Sequence, residues 1–364
     1  MFMTTLSRTW RLMICGCLAI SLLAACGDSG PTANPAPPPL AKELVLYNWV
    51  GDMPQSVLDI FTKEYGVKID YQTFQSQEEA IENIRAGKKY DVVVLENDFI
   101  LGLTADNLVA EIDFRNVPNF KNVSANFRDL ATDPGNQHTV PYHYGTAGLV
   151  LRTDLIGNNV TRWADLWDPR YAGKIALRSQ PREIIAFTLL SLGYSLNSEN
   201  PQELEAALNR LLELRQSVVF VDVDASSAVP KLLSGEVAIL QGWAEDYKLA
   251  QETSPSVAYV LPEEGTTLWG DSFVMLTSSP HKYTAEVFIN FLLRPEISAQ
   301  IVNEKKYATA NEAAHSLIKP EIRTDPVTFP PVALLNKSHF YTPLSPQGEK
   351  LYADIWTRFM DGKP

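Results

Sequence analysis

The sequence predicts an α/β protein that folds as two lobes, and two observations support this. Apolar runs of strand length alternate with amphipathic segments of helix length, a pattern typical of parallel βαβ units whose sheets are covered on both faces. The part of the chain that we expect to fold starts near Lys42. It is about 320 residues long, which is more than one hydrophobic core normally holds. We therefore expect one core in each of two lobes.

The first predicted elements alternate regularly. Residues 44–47 have the sequence L-V-L-Y, which reads as a buried strand, and the segment after it has apolar side chains at helical spacing. A second strand, a second helix and a third strand with a continuous apolar centre follow. The predicted bounds are 44–47, 67–71 and 90–95 for the strands and 54–65 and 78–86 for the helices.

The later elements suggest that the chain passes between the lobes twice. Strands are predicted at 148–152, 218–221, 237–240, 257–261 and 273–276, helices at 183–192, 201–215 and 285–293, and a loop at 262–269. A lobe that is interrupted and later resumes would place the crossings near 142–146 and 263–269. Ligands of open α/β sheets bind outside the carboxyl ends of the strands, so we expect a ligand site close to these crossings.

The first 25 residues have the pattern of a signal peptide. Arg8 and Arg11 precede an apolar run at 12–25 that is too short to span a bilayer comfortably. The run ends in L-A-A-C, which resembles the lipobox of bacterial lipoproteins, so we expect Cys26 to become the lipid-modified N-terminus. Ordinary cleavage that leaves a free cysteine is the alternative. Residues 26–41 are rich in Pro, Ala, Gly and Ser and are predicted to be a flexible tether.

Composition argues against some classes of partner. The net charge is −12, and it becomes −14 when the first 25 residues, which contain two arginines and no acidic residue, are removed. An acidic chain argues against nucleic acid and against a broad anionic lipid surface. It is compatible with a cationic ligand, although acidic residues that serve only solubility are equally common. Removal of Cys15 and Cys17 with the signal leaves Cys26 alone, so no internal disulfide is predicted.

Two short segments pair an aromatic ring with a carboxylate, W-A-E-D at 243–246 and W-G-D-S at 269–272. Ring faces attract organic cations, and carboxylates neutralise a cation once it leaves water. The pattern therefore indicates a flat-walled, acidic pocket for an organic ammonium ion. Trp49, Glu96 and Trp243 each follow an apolar strand, where the side chains of a cleft would collect. For the tryptophans, simple core packing is the alternative.

Catalytic and metal-binding motifs are missing from the sequence. Gly270-Asp271-Ser272 matches the G-D-S block of an esterase-like hydrolase family, but no histidine has an aspartate three residues before it. No G-x-S-x-G motif is present either. The five histidines form no H-E-x-x-H motif and are not paired with cysteines. We therefore expect no catalysis, no metal and no cofactor.

Ten segments, which occur in the same order, resemble the bacterial polyamine-binding proteins of ABC importers, the spermidine/putrescine-binding type. They include L-Y-N-W (46–49), V-P-Y-H-Y-G-T (140–146), W-A-D-L-W (163–167), W-G-D-S (269–272), F-I-N-F-L-L-R-P-E (288–296) and K-Y-A-T-A-N (306–311). The resemblance implies a periplasmic-binding-protein fold of type II with the ligand in the cleft between the lobes. Lobe 1 would comprise 42–144 and 270–316, and lobe 2 would comprise 145–269 and 317–364.

The resemblance also implies which side chains hold the amine. Position by position, the aromatic rings and carboxylates are Trp49, Trp243, Trp269, Tyr307, Glu183, Asp271 and, as in putrescine-type members, Asp246.

The chain departs from the family pattern at three places. Gln180 stands where spermidine-type members carry an aspartate. An acid usually follows the tryptophan at position 49 more closely than Asp52 does here. After the third strand the family often has Pro-Ser and then an aromatic residue, whereas this chain has L-E-N-D-F at 95–99, with acids at Glu96 and Asp98. Asp52 also fits the cap of the next helix, and we favour that role. Glu96 and Asp98 fit a helix start as well as a ligand site, and Glu183 suits the first turn of a helix through the helix dipole alone.

These features predict a lipid-anchored, monomeric substrate-binding protein in the periplasm or at the outer face of the cytoplasmic membrane. It would capture a polyamine, putrescine or spermidine, and deliver it to the membrane subunits of an ABC permease after its lobes close. The alternatives are another organic amine as ligand, or a sensor that reports polyamine to a receptor. An amino-acid ligand would need a cationic partner, and the predicted pocket offers only Arg182, which we expect to point elsewhere.

Overall fold

The computed structural model describes residues 37–223 and 225–363 of the chain. The described residues from Leu40 onward form one compact unit. The predicted signal peptide, Cys26 and most of the predicted tether lie outside the described residues.

Eleven strands lie in the described residues. In chain order they are β1 (Glu43–Trp49), β2 (Lys68–Phe74), β3 (Val92–Glu96), β4 (Val140–Arg152), β5 (Ile175–Arg178), β6 (Val218–Val223), β7 (Ile239–Trp243), β8 (Val257–Val260), β9 (Thr267–Met275), β10 (Ala308–Thr309) and β11 (His339–Phe340).

Helices separate most of these strands. In chain order the described α-helices are α1 (Gln55–Tyr65), α2 (Gln77–Arg85), α3 (Asn97–Ala105), α4 (Thr153–Ile156), α5 (Pro181–Ser191), α6 (Pro201–Arg215), α7 (Ala225–Ser234), α8 (Ala244–Thr253), α9 (Lys282–Leu292), α10 (Pro295–Lys305), α11 (Pro320–Arg323), α12 (Val332–Leu335) and α13 (Pro346–Asp361).

The strands form two sheets that share β4. The first sheet has the order β2-β1-β3-β9-β4, with β10 on β4 and β11 on β9. Here β1 is parallel to both β2 and β3, as expected for the βαβ units that α1 and α2 complete, whereas β9 is antiparallel to β3 and β4. In the second sheet the end of β4 pairs with β7 and β8, and β5 lies between β7 and β6 in parallel.

Strand β4 is the direct connection between the two sheets. Its residues up to Thr146 pair with β9, and its residues from Ala147 onward pair with β7. The change of partner thus falls within a single continuous strand, close to the predicted crossing at 142–146. The exact division of the chain into lobes stays a prediction.

Each sheet has its own hydrophobic core on both faces. In the first sheet, Val92 and Val94 pack into one buried cluster, and Val93 and Leu95 pack into another on the opposite face. The second sheet alternates in the same way, with Ile239 in one cluster and Leu240 in the other. Since successive side chains of a strand point to opposite faces, continuous apolar runs are what a sheet covered on both sides requires.

The predicted α/β class is confirmed, and most predicted elements are present with shifts at their ends. Helix α6 has the predicted bounds, Pro201–Arg215. The main difference concerns W-G-D-S, which was expected at the end of a loop. Strand β9 begins at Thr267, so Trp269 and Asp271 lie inside the strand and share one of its faces. Strand β4 is also longer than predicted, because its first residues pair with β9 and β10.

Within the described part of the chain, no helix is long and apolar enough to cross a membrane. The same residues contain no group of three or more His, Cys, Asp or Glu side chains arranged to hold a metal ion.

Candidate functional site

Three titratable side chains form a row across neighbouring strands of the first sheet. Glu96 at the end of β3 lies opposite Asp271 of β9, and Asp271 lies opposite His143 of β4. Side chains that are directly opposite on antiparallel strands have Cβ atoms about 4.5–5.5 Å apart. The row therefore places two carboxylates and one imidazole side by side, and the residues come from three distant parts of the sequence.

Asp271 is at the centre of this row, and only one of its two carboxylate oxygens has a hydrogen-bond donor among the described residues. Its Oδ2 accepts a hydrogen bond from the indole nitrogen of Trp49 at 3.1 Å and lies 3.6 Å from Nε2 of His143. Its Oδ1 is buried and has no hydrogen-bond partner among the described residues. Burial raises the pKa of Asp271 to about 6, although His143 opposes this shift. A buried carboxylate oxygen without a donor is suited to accept a cation.

His143 also holds Asp52, which corrects the helix-cap role that we favoured for this aspartate. Helix α1 has Pro54 at its N-cap and no side-chain cap. Asp52 instead accepts hydrogen bonds from Asn48 at 2.7 Å and from His143 at 3.1 Å. Burial alone would raise the pKa of Asp52, but the charge and hydrogen bond of His143, together with hydrogen bonds from Asn48 and Tyr142, outweigh burial and lower that pKa. Burial would lower the pKa of His143, and Asp52 raises it.

Three aromatic rings surround the row. The His143 ring is stacked on Tyr307 with centroids 5.2 Å apart and meets Trp269 edge-on at 5.7 Å. Trp269 and Tyr307 are 6.3 Å apart, and Trp49 lies on the other side through its bond to Asp271. All three rings are partly exposed. Of the four rings that the resemblance assigns to the ligand, Trp49, Trp269 and Tyr307 thus lie together around the row.

A glycine makes room for the Trp269 ring. Gly145 of β4 lies opposite Trp269 of β9. A Cβ atom at position 145 would be only 2.2 Å from the indole ring, so the ring lies directly against the backbone of β4.

One acid of the row, Glu96, and one acid near it, Glu245, have raised pKa values, and sequence reasoning found only the first. Burial and the neighbouring charge of Asp271 raise the pKa of Glu96 to about 8. Burial also raises the pKa of Glu245, in the first turn of α8, and the charge of Lys248 and, more weakly, that of His143 oppose this shift. Glu245 was passed over, although it lies inside the W-A-E-D motif. Both side chains carry a strong cost of ionisation that a cation would relieve.

Arg178 contacts both of the ligand-binding residues, Trp243 and Asp246, that we predicted from the W-A-E-D motif. Its guanidinium forms a buried ion pair with Asp246, and it lies 4.5 Å from the centroid of the Trp243 ring. Asp246 also accepts a hydrogen bond from the backbone nitrogen of Trp243 at 2.9 Å. A protein cation thus fills the position on Trp243 and Asp246 that we assigned to a ligand ammonium. Arg178 was not identified from the sequence.

Glu183 of α5 forms a second acidic point beside Thr267, at the start of β9. It accepts hydrogen bonds from Thr267 at 2.6 and 2.8 Å and from Tyr341 at 2.7 Å. Burial raises the pKa of Glu183, and these hydrogen bonds offset only part of the shift. The neighbouring Arg182 stacks over Tyr341 and donates to the backbone carbonyl of Thr342, so it forms no ion pair with Glu183.

The remaining two candidates are exposed. Gln180 is the N-cap residue of α5 and makes no side-chain cap bond. Asp98 lies in the first turn of α3, beside Glu78 and Phe99 in an open surface concavity of about 730 Å³. Neither side chain contacts the row of Glu96, Asp271 and His143 through a hydrogen bond.

The chain is similar to bacterial transport proteins over almost its whole length. A family model for bacterial extracellular solute-binding proteins matches residues 56–330. The spermidine/putrescine-binding periplasmic protein of Escherichia coli is 30% identical over 356 residues, which are 97% of this chain and 98% of that protein. The putrescine/agmatine-binding protein of Pseudomonas aeruginosa is 28% identical, with 95% of this chain and 98% of that protein covered.

A solved structure supports the same relationship. The substrate-binding protein PotD of a spermidine/putrescine ABC transporter from Streptococcus pneumoniae has a TM-score of 0.84 and 29% sequence identity. The match covers 89% of this chain and 100% of that one.

We expect Asp246→Asn to lower the free energy of unfolding by about 3–5 kcal/mol, because it leaves the Arg178 charge buried without a counter-charge. Urea denaturation measures the change. The control is Glu205→Gln at the exposed pair with Arg358 (2.9 Å), which should cost less than about 1 kcal/mol. Equal effects of the two substitutions would show that Arg178 does not depend on Asp246.

Proposed function

The chain belongs to the bacterial extracellular solute-binding proteins, and we propose that it is the amine-binding component of an ABC importer. It captures a di- or polyamine in the periplasm and delivers it to the permease. It performs no chemistry on the ligand, as its relatives are binding proteins rather than enzymes. Their names identify spermidine and putrescine as the ligand class to test first.

The observation that carries this proposal is the free oxygen of Asp271. It is buried, it has no donor among the described residues, and the rings of Trp49, Trp269 and Tyr307 lie around it. An ammonium ion would supply a charge-assisted hydrogen bond to that oxygen. It would also find ring faces that attract cations.

Acidic and aromatic side chains alternate along β9 in the same order as the ammonium groups and methylene chains of a polyamine. Thr267, which binds Glu183, and Asp271 are four residues apart on the same face of the strand, with Trp269 between them. Residues at that separation lie about 13 Å apart along a strand. A polyamine has ammonium groups separated by apolar methylene chains. In this arrangement an acid would lie at each end and an aromatic ring beside the chain.

The proposed ligand contacts divide into three groups. The direct contacts are Asp271, Glu96, Glu183, Trp49, Trp269 and Tyr307. Asp52 acts through His143, and Asp246 and Trp243 act through Arg178. Glu245 is added as a further acid near the amine, while Asp98 and Gln180 are placed at the edge of the site.

Ligand capture would proceed by closure of the two lobes. We assign Asp271, Trp49 and Tyr307 to the first lobe and Glu183 to the second. A ligand that contacts both lobes stabilises the closed form, because the closed form alone makes all the contacts. The connection through β4 is short and continuous, which suits a hinge that bends rather than unfolds.

We also propose that Cys26 is lipid-modified and that the protein acts as a monomer. The L-A-A-C sequence at 23–26 supports the lipid anchor, and tethering at the membrane would keep the loaded protein close to its permease.

We expect a titration of the purified protein with putrescine, cadaverine, spermidine and spermine to give selective binding of one or two amines. Asp271→Asn should weaken that binding by about 3–5 kcal/mol, roughly a hundredfold or more in Kd, because the ammonium loses its counter-charge. Isothermal titration calorimetry measures both. Asp59→Asn, at an exposed position of α1, is the matched control. If no amine binds the unaltered protein, the proposed function is wrong.

We expect amine affinity to weaken on acidification in two steps. The pKa is raised to about 8 for Glu96 and to about 6 for Asp271. An ammonium ion favours the ionised carboxylates, so binding is strongest above pH 8. It weakens as the pH falls first through 8 and then through 6. Titrations at pH 8.5, 7.0 and 5.5 measure this. Glu96→Gln should remove the upper step, and an affinity independent of pH would contradict the expectation.

We expect Cys26→Ala to move the protein from the membrane fraction to the soluble fraction of bacterial cells, because acyl chains on that cysteine would provide the anchor. Cys17→Ala, which changes a cysteine of the predicted signal peptide, should leave the distribution unchanged. Recovery of the unaltered protein in the soluble fraction would refute the lipid anchor.

A further inference from the structure

His143 is enclosed by acids and rings of the proposed amine site. Its Nε2 is 3.1 Å from Oδ1 of Asp52 and 3.6 Å from Oδ2 of Asp271. Its ring is stacked on Tyr307 and meets Trp269 edge-on, and the side chain is almost fully buried. Both carboxylates lie at Nε2, and Nδ1 is buried without a hydrogen-bond partner among the described residues. Burial lowers the pKa of His143, but the charges of Asp52 and Asp271 outweigh burial and favour the protonated, positively charged form.

Acids face His143 from several elements. They are Asp52 after β1, Glu96 of β3, Asp271 of β9 and Glu245 of α8, and the phenols of Tyr142 and Tyr307 are its other titratable neighbours. The amine of Lys248 lies beyond Tyr307, 5.8 Å from the centroid of that ring, and donates to the carbonyl of Lys306. Among these groups the imidazolium is therefore the cation that directly contacts the acids of the row.

The contact between His143 and Asp271 determines which carboxylate oxygen of Asp271 is free to bind an ammonium ion. His143 and Trp49 both lie at Oδ2, and Oδ1 has no donor. Without a cation at position 143, the carboxylates of Asp52, Asp271 and Glu96 would face one another. Neighbouring carboxylates in a buried site do not all ionise, because their charges repel. A neutral Asp271 would no longer attract an ammonium ion.

We infer that His143 is a positioning residue of the amine site: its imidazolium neutralises Asp52 and holds Oδ2 of Asp271, so that Asp271 stays ionised and receives a single ammonium group through Oδ1. This inference rests on the proposed function and names the residue that sets the charge of that end of the site. The net charge of Asp52, His143 and Asp271 together is then −1, which matches one primary ammonium group.

The test is the pH dependence of amine affinity in variants at position 143. His143→Gln keeps a hydrogen-bonding side chain and removes the charge. The lower step of the pH profile, which Asp271 sets, should then move upward by about 1–3 pH units, the usual effect of one nearby charge. For an upward shift of about two pH units, the variant should bind the amine about tenfold more weakly than the unaltered protein at pH 7.0, and most of this loss should be recovered at pH 8.5 or above.

Two further variants separate charge from structure. Asp52→Asn combined with His143→Gln removes one negative and one positive charge together, so the lower step should return toward its original pH. His143→Lys keeps the positive charge beside Asp52, so the lower step should stay near its original pH in this variant as well. His138→Gln, at a histidine that pairs with Asp133 (3.2 Å) away from the row, is the control and should change nothing. Thermal unfolding of each variant identifies any that do not fold.

The outcomes are distinct. A shifted profile in His143→Gln that either Asp52→Asn or His143→Lys reverses supports the inference. An unshifted profile in His143→Gln overturns it and leaves the proposed function intact. If His143→Gln does not fold, the combined variant and His143→Lys still decide, because an upward shift in both would overturn the inference. Absence of amine binding to the unaltered protein would overturn the proposed function itself.

Discussion

The repulsion between buried carboxylates is the constraint on which this site depends. Glu96, Asp271, Asp52 and Glu245 lie close together in a partly dry region, where ionised acids are costly unless a cation is near. The protein supplies one such cation from within, at His143. It supplies another at Arg178, which neutralises Asp246. Acids that the protein's own cations do not neutralise are the proposed binding acids, for which an amine would be the counter-charge. Acids that are already paired, such as Asp246, are structural.

The two long strands β4 and β9 bring these groups together. Strand β9 carries Trp269 and Asp271 on one face, and β4 carries His143 and then continues into the second sheet. The same strand that contributes a charge to the site is therefore also a connection between the two sheets. An amine proposed to bind at Asp271 would therefore lie next to the strand that leads into the second sheet. This suits a protein that changes its shape when a ligand binds.

Local sequence patterns predicted the secondary-structure elements well. The roles that they missed belong to side chains whose partners are distant in the sequence. The apolar runs gave β1, β3 and α6, and the aromatic–acid motifs identified Trp269 and Asp271. The helix-cap role of Asp52 was wrong, because a histidine 91 residues away competes for its carboxylate. Arg178 and His143 were passed over for the same reason. Arg178 lies in none of the quoted segments, and His143 lies in V-P-Y-H-Y-G-T without a partner nearby in the sequence. Only the register of β4 and the packing of Arg178 on Trp243 give these two residues a role.

The contact between the Trp269 ring and Gly145 has a consequence for the shape of the binding slot. Because the indole packs against the main chain at Gly145 rather than against a side chain, the ring cannot move toward β4 when a bulkier molecule enters. Main-chain atoms of a central strand are the stiffest surface that a protein offers, whereas a side-chain backing can change rotamer. The slot thus has a fixed thickness on this side. An unbranched methylene chain can pass along such a wall, while a branched or ring-bearing amine of the same charge must distort the sheet to enter.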